Sequence, residues 1–92
     1  MARGENSNPT PMTRAAAAVI RAQMNVLQIT QADLVRDTSM SQPMMSHLLK
    51  GHNVFDLAQL DEVCALLKIN PADVLVHARE NATSHAPRHQ EK

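Results

Sequence analysis

The sequence predicts an all-α domain, a compact bundle of five short helices, and three observations carry that prediction. Apolar residues make up 43% of the 92 residues while aromatics make up 1%, the lone large ring being Phe55, so the core is built from Leu, Val, Ile, Ala and Met. Apolar positions recur at helical spacing in successive segments, as in Leu60, Val63, Cys64 and Leu67. Residues that start helices stand immediately before those segments, at Thr13, Thr30, Ser41, Asp56 and Asn70. A chain this short makes one domain, which is stabilised only marginally by its own core and gains from a partner subunit.

Residues 1–12, MARGENSNPTPM, carry Gly4, Pro9 and Pro11 among polar residues and no periodicity, and are expected to form a flexible arm. Helix 1 is expected to follow a cap at Thr13 and to run to about Asn25. Ala15 to Ala18 give it strong intrinsic helicity, and Val19, Ile20, Met24 and Leu27 form its buried stripe. The small alanines allow another helix to approach closely, and Arg14 and Arg21 lie off the stripe.

Helix 2 starts at Thr30, with Asp33 completing a capping box, and turns Leu34 and Val35 inward before ending near Thr38. Helix 3 is capped by Ser41 and runs from Gln42 to about Lys50 with Met45, Leu48 and Leu49 inward. Pro43 falls in its first turn, where the missing N–H breaks no helical bond, and Gly51 stops it because glycine accepts a left-handed backbone. Two short helices joined by a tight turn have the geometry of a helix-turn-helix, whose second helix fits a DNA major groove.

Val54 and Phe55 are expected to tuck under the bundle. Asp56 then caps helix 4, with Gln59 reciprocating and Leu57, Leu60, Val63, Cys64 and Leu67 inward. Asn70 caps helix 5, with Pro71 at its first position and Val74, Leu75 and Ala78 inward. Leu66 and Val76 lie off those faces and are the candidate dimer seam, although either also fits a wider core. After Glu80 the pattern is lost, so residues 81–92 read as a polar tail and 13–80 as the folded domain.

Nine basic residues balance nine acidic ones, so no overall attraction to a polyanion is advertised. The signs are unevenly spread: Arg3, Arg14, Arg21, Arg36 and Lys50 against Glu5, Asp33 and Asp37 up to Phe55, then, from Asp56 to Glu80, Lys68 and Arg79 against Asp56, Asp61, Glu62, Asp73 and Glu80. If Met45, Leu48 and Leu49 face the core, Gln42, Pro43, Ser46 and His47 face outward. Gln42 has the donor–acceptor pair to read adenine, or can donate to guanine, and Ser46 and His47 reach base edges or phosphates. Met44 packs either on a thymine methyl or on the edge of the core. Lys50, His52 and Gln31 are the expected phosphate contacts, the last helped by free amides at its helix N-terminus. Polar residues on a helix face are ordinary in themselves, and the pair of capped helices gives them their meaning.

Competing chemistry is poorly supplied. The five histidines, His47, His52, His77, His85 and His89, lack ligand spacing, and Cys64, the only cysteine, sits in an apolar pattern that makes it a buried hydrophobe without a base beside it. Paired carboxylates in a cleft and a glycine-rich phosphate loop are both missing from the pattern, so neither an enzyme nor a metal or other cofactor is expected. No apolar run is long enough for a membrane span and no signal-peptide pattern is present, which leads to an expectation of cytoplasmic localisation.

The capped pair of helices resembles the Cro/CI-like helix-turn-helix family, also called the Xre type, of phage and bacterial transcriptional regulators. The residues that carry the likeness are Thr30-Gln31, Leu34, Met40-Ser41-Gln42, Met45-Ser46, Leu48 and Gly51, continuing through Phe55 to Ile69 and the closing Asn70 to Leu75, about two-thirds of the chain. The resemblance implies a five-helix bundle of the lambda-repressor-like DNA-binding type with the helix-turn-helix at helices 2 and 3. It also implies a homodimer that binds a two-fold double-stranded DNA operator and represses transcription, with Gln31 and Lys50 on phosphates and Gln42, Pro43, Ser46 and His47 at the groove. Val35 stands where the family favours alanine, Ser39 where it has a turn glycine and Leu49 where an acidic residue is common. Pro43 removes a polar reader from the front of helix 3. The competing reading is a protein-interaction module on the same bundle, such as an antirepressor or antitoxin-like adaptor with a regulatory protein partner.

Overall fold

The computed structural model describes residues 9–88. Five helices follow one another: α1 (Pro11–Leu27), α2 (Gln31–Asp37), α3 (Gln42–Leu49), α4 (Leu57–Leu67) and α5 (Pro71–Arg88). The expected arm lies largely outside the described residues, as do residues 89–92 of the expected tail.

Four of the expected caps are in place. Thr30 and Asp56 each accept a hydrogen bond from the backbone N–H three residues on, and Asp33 and Gln59 reciprocate. Ser41 Oγ accepts from the Met44 N–H at 3.2 Å, and Asn70 Oδ1 from the Ala72 N–H at 2.8 Å. The first helix differs: its cap is Thr10, not Thr13. Thr10 accepts from the Thr13 N–H at 3.2 Å, the Thr13 hydroxyl takes the Thr10 N–H at 3.1 Å, and Pro11 occupies the first helical position. Thr13 is thus the reciprocating partner, and Pro11 and Met12 belong to the helix. The last helix also departs from expectation, continuing past Glu80 to Arg88.

Three helices end alike. Gln28, Gly51 and Lys68 adopt left-handed backbone with φ of 61°, 79° and 57°. In each case the next residue's N–H donates back five positions, Ile29 to Met24, His52 to His47 and Ile69 to Cys64, which closes a Schellman motif. Ile29 and Ile69 then pack against the core. α2 lacks this lock, since its C-cap Thr38 is extended with φ −123°.

The core unites Ile20 of α1, Leu34 of α2, Met45, Leu48 and Leu49 of α3, Leu60, Val63, Cys64 and Leu67 of α4, and Val74 and Ala78 of α5. α1 and α5 form the most extensive helix pair. Ala16 and Ala17 are buried on α1, as the close approach of a neighbouring helix requires. Gly51 is buried at another close approach, where a Cβ would lie 3.3 Å from the Arg14 Cα. Two further α1 side chains hold the ends of other helices: Arg21 donates to the Leu49 carbonyl, and Gln23 Nε2 to the Leu67 carbonyl at 3.0 Å. Each satisfies a carbonyl that its own helix leaves free.

Some expected inward positions do not hold. Leu57 stands 81% exposed, because the first residue of α4 overhangs the packed part of the bundle, and Leu75 is 42% exposed on α5. Phe55 packs on the core while Val54 beside it is 38% exposed. Cys64 is buried, and desolvation first, then Asp61, pushes its thiol up to about 11.

Candidate nucleic-acid interface

α2 and α3 pack against each other across residues 38–41, and α1 and α4 support them from behind. The apolar side of α3 is fixed by Met45, Leu48 and Leu49, all buried. Helical geometry then leaves the opposite edge outward. Gln42, Pro43 and His47 are exposed along it, and Ser46 is half-buried. Lys50 and His52 continue the exposed edge beyond the helix, and the His47 and His52 rings approach to 5.9 Å between centroids. Gln31 is half-buried at the first position of α2. Met44 is half-buried, packing partly on the core, and Asn53 Nδ2 donates to its sulfur at 3.8 Å.

The charges beside this edge are mostly engaged. Arg36 pairs with Asp33 at 3.0 Å and Asp37 at 3.2 Å, so the cation of α2 is already engaged by two carboxylates and the cluster stays net acidic. The Thr30 backbone N–H, then the Thr30 hydroxyl and Arg36, hold the Asp33 carboxyl below its usual value. Asp37 first, then Asp33, raises the Arg36 guanidinium further. Lys50 is therefore the exposed fixed cation of the α3 edge itself.

The turn holds what the sequence pattern did not reveal. Ser39 is not left-handed, so a serine in place of the turn glycine carries no backbone penalty. Its N–H and hydroxyl instead donate to the two Glu62 carboxylate oxygens, each at 2.8 Å. Glu62 reads in the sequence only as one of the acidic residues after Phe55, and Arg21 only as a residue off the apolar stripe. Both make long-range contacts that periodicity cannot signal. Val35 is accommodated, half-buried, against the core, and Leu49 belongs wholly to the core.

The two residues of the candidate dimer seam separate. Leu66 is half-buried against the core, whereas Val76 is 54% exposed. Leu57 and Leu75 are exposed apolar side chains as well. Among the described residues no group of three His, Cys, Asp or Glu side chains is placed to hold a metal ion, and no helix is long and apolar enough to cross a membrane.

Two short capped helices, the second with its polar edge clear of the bundle, define a helix-turn-helix DNA-binding domain. The chain belongs to the Cro/C1-type HTH DNA-binding domain family, whose pattern it matches over residues 19–80. It is a DNA-binding transcriptional regulator of that class. Two solved structures of the clp gene regulator ClgR from Corynebacterium glutamicum are similar to it. One is 24% identical, with a TM-score of 0.78 over 86% of this chain and 84% of that chain. The other is 26% identical, with a TM-score of 0.69 over 76% and 91%. No curated protein matches the chain.

Proposed function

We propose that this protein is a repressor that binds a two-fold DNA operator as a homodimer, with α3 in the major groove. The observation that carries the reading is the outward edge of α3, where Gln42, Pro43 and His47 stand exposed while Met45, Leu48 and Leu49 anchor the opposite side. Gln42 reads a base through its amide, Ser46 and His47 reach neighbouring edges or phosphates, and Pro43 and Met44 supply apolar contact to bases. Lys50 and His52 contact the phosphate backbone after α3, and Gln31 does so at the start of α2.

One short helix reads few base pairs, so a second subunit would read a half-site about 34 Å away. The exposed Val76, with Leu75 on the same helix, supports a dimer surface on α5, while Leu66 contributes from the core side. Occupying a promoter in this way blocks transcription without any catalysed step. The similarity to a regulator of clp genes supports a role in gene control.

Selection from a random duplex pool, followed by binding of the selected duplex across a range of salt, tests the reading. A two-fold consensus and an affinity that falls steeply with salt are expected. A pool that yields no preferred sequence, or binding indifferent to salt, would overturn it. The formal net charge of zero favours a second reading, in which the same bundle docks a regulatory protein. The Gln42→Ala, His47→Ala double variant separates the two, since it lowers operator selectivity only if α3 reads DNA.

A further inference from the structure

α1, α3 and α4 each close on a left-handed residue that locks the outgoing chain, but α2 ends on the extended Thr38. The angle between α2 and α3 is therefore left to side chains. The Thr38 hydroxyl donates to the Leu34 carbonyl at 2.7 Å and accepts from the Met40 N–H at 3.3 Å, both within the turn's own neighbourhood. Glu62 supplies what comes from outside. Its carboxylate takes the Ser39 N–H on one oxygen and the Ser39 hydroxyl on the other, each at 2.8 Å and across 23 positions of sequence. Among the described residues this is the one hydrogen-bonded tie between the turn and another helix.

We propose that Glu62 is a positioning residue for DNA recognition: it clasps the turn from α4, so that the start of α2 and the outer edge of α3 meet one duplex together. The inference rests on the DNA-binding reading above. Two donors of different direction on one carboxylate fix the orientation of the turn's peptide plane, where a single bond would leave it free to swing. Ser39 is exposed, so water replaces the lost acceptor when Glu62 is removed. Loss of the clasp therefore loosens alignment more than it unfolds the domain. Sequence selectivity needs base edges and phosphates met at once, whereas nonspecific binding needs phosphates alone.

The test measures affinity of the full chain for its pool-selected duplex and for a scrambled duplex at one salt concentration, with thermal melting alongside. Glu62→Ala is expected to reduce the ratio of the two affinities about tenfold, the scale of one good base contact, while the melting temperature changes little. Glu62→Gln should restore most of the ratio, because its carbonyl still accepts the Ser39 N–H and its amide donates to the Ser39 hydroxyl. Ser39→Ala should lose part of it, and adding Ser39→Ala to Glu62→Ala should change nothing more. If Glu62→Ala unfolds, Ser39→Ala carries the test with α4 untouched. An unchanged ratio in the folded variants, or losses that simply add, overturns the clasp while leaving DNA recognition standing. A wild-type chain that prefers no duplex removes the DNA reading, and the clasp with it.

Discussion

Replacing Gly51 by alanine tests how the recognition helix is held at its far end. Gly51 has φ +79° and is buried, and a Cβ built on it would lie 3.2 Å from Arg14 Cγ and 3.3 Å from Arg14 Cα. The Cγ can yield by a small rotation, but the Cα belongs to the backbone of α1 and moves only with the helix. Left-handed backbone costs a residue with a Cβ about 1–2 kcal/mol. Alanine recovers about 0.4–1 kcal/mol by narrowing the unfolded ensemble. The push against α1 adds to the loss, so the net destabilisation is about 1–2 kcal/mol. For a domain of this size that lowers Tm by about 5–15 °C. Thermal melting and urea titration with an unchanged m value are the assays. Gly51→Asn separates the two causes, since asparagine tolerates the left-handed region but keeps the same contact with Arg14. A Gly51→Ala protein as stable as wild type or more stable, despite the left-handed backbone and the contact with Arg14, would refute the reasoning.

The other two left-handed residues, Gln28 and Lys68, are exposed, so Gln28→Gly and Lys68→Gly should each stabilise the domain by about 0.5 kcal/mol in urea titration. Burial lifts the Cys64 thiol to about 11, so the unfolded chain loses that proton first as pH rises. Stability should therefore fall between about pH 9 and 11 by up to about 1.4 kcal/mol per pH unit, a slope that Cys64→Ala removes. Asp33 titrates below its usual value, so its stabilising contribution is present above the ordinary carboxylate range and lost as pH falls through the lowered folded value. Asp33→Asn should flatten the acid limb of the stability profile. Lys50→Ala should weaken all duplexes alike and reduce the salt slope of binding by about 1, read from titrations at several salt concentrations.

Local chemistry made much of the fold legible. Thr30, Ser41, Asp56 and Asn70 cap where their side chains bond their own neighbours, so sequence spacing alone locates them. Thr10 escaped because two threonines three apart can each look like the start. Pro11 was the available signal, being acceptable at a first helical position where Thr13 can reciprocate. Helix α5 outran the apolar pattern read from the sequence, and no glycine and no proline before Pro87 intervenes after Glu80 to stop it. Leu57 fits the stripe by period but has no helix opposite it, which period cannot register. Gln28 and Lys68 were invisible for another reason: a Schellman motif is formed by backbone groups, and only a glycine at its left-handed position announces it.

The candidate site divides along the same line. Which side of α3 faces outward follows from three apolar residues within that helix, so Gln42, Pro43 and His47 could be named from sequence. What holds the helix could not. Its far end is gripped from α1, through Arg21 on the Leu49 carbonyl and the Arg14 backbone against Gly51. The turn before it is gripped from α4, through Glu62 on Ser39. Both grips come from residues distant in the chain, and neither needs any side chain on the outward edge of α3. On the DNA-binding reading proposed above, substitution at Gln42, Ser46 or His47 would change base preference without loosening the support beneath that edge. Changes at Arg21, Gly51 or Glu62 act instead on the placement of every contact together.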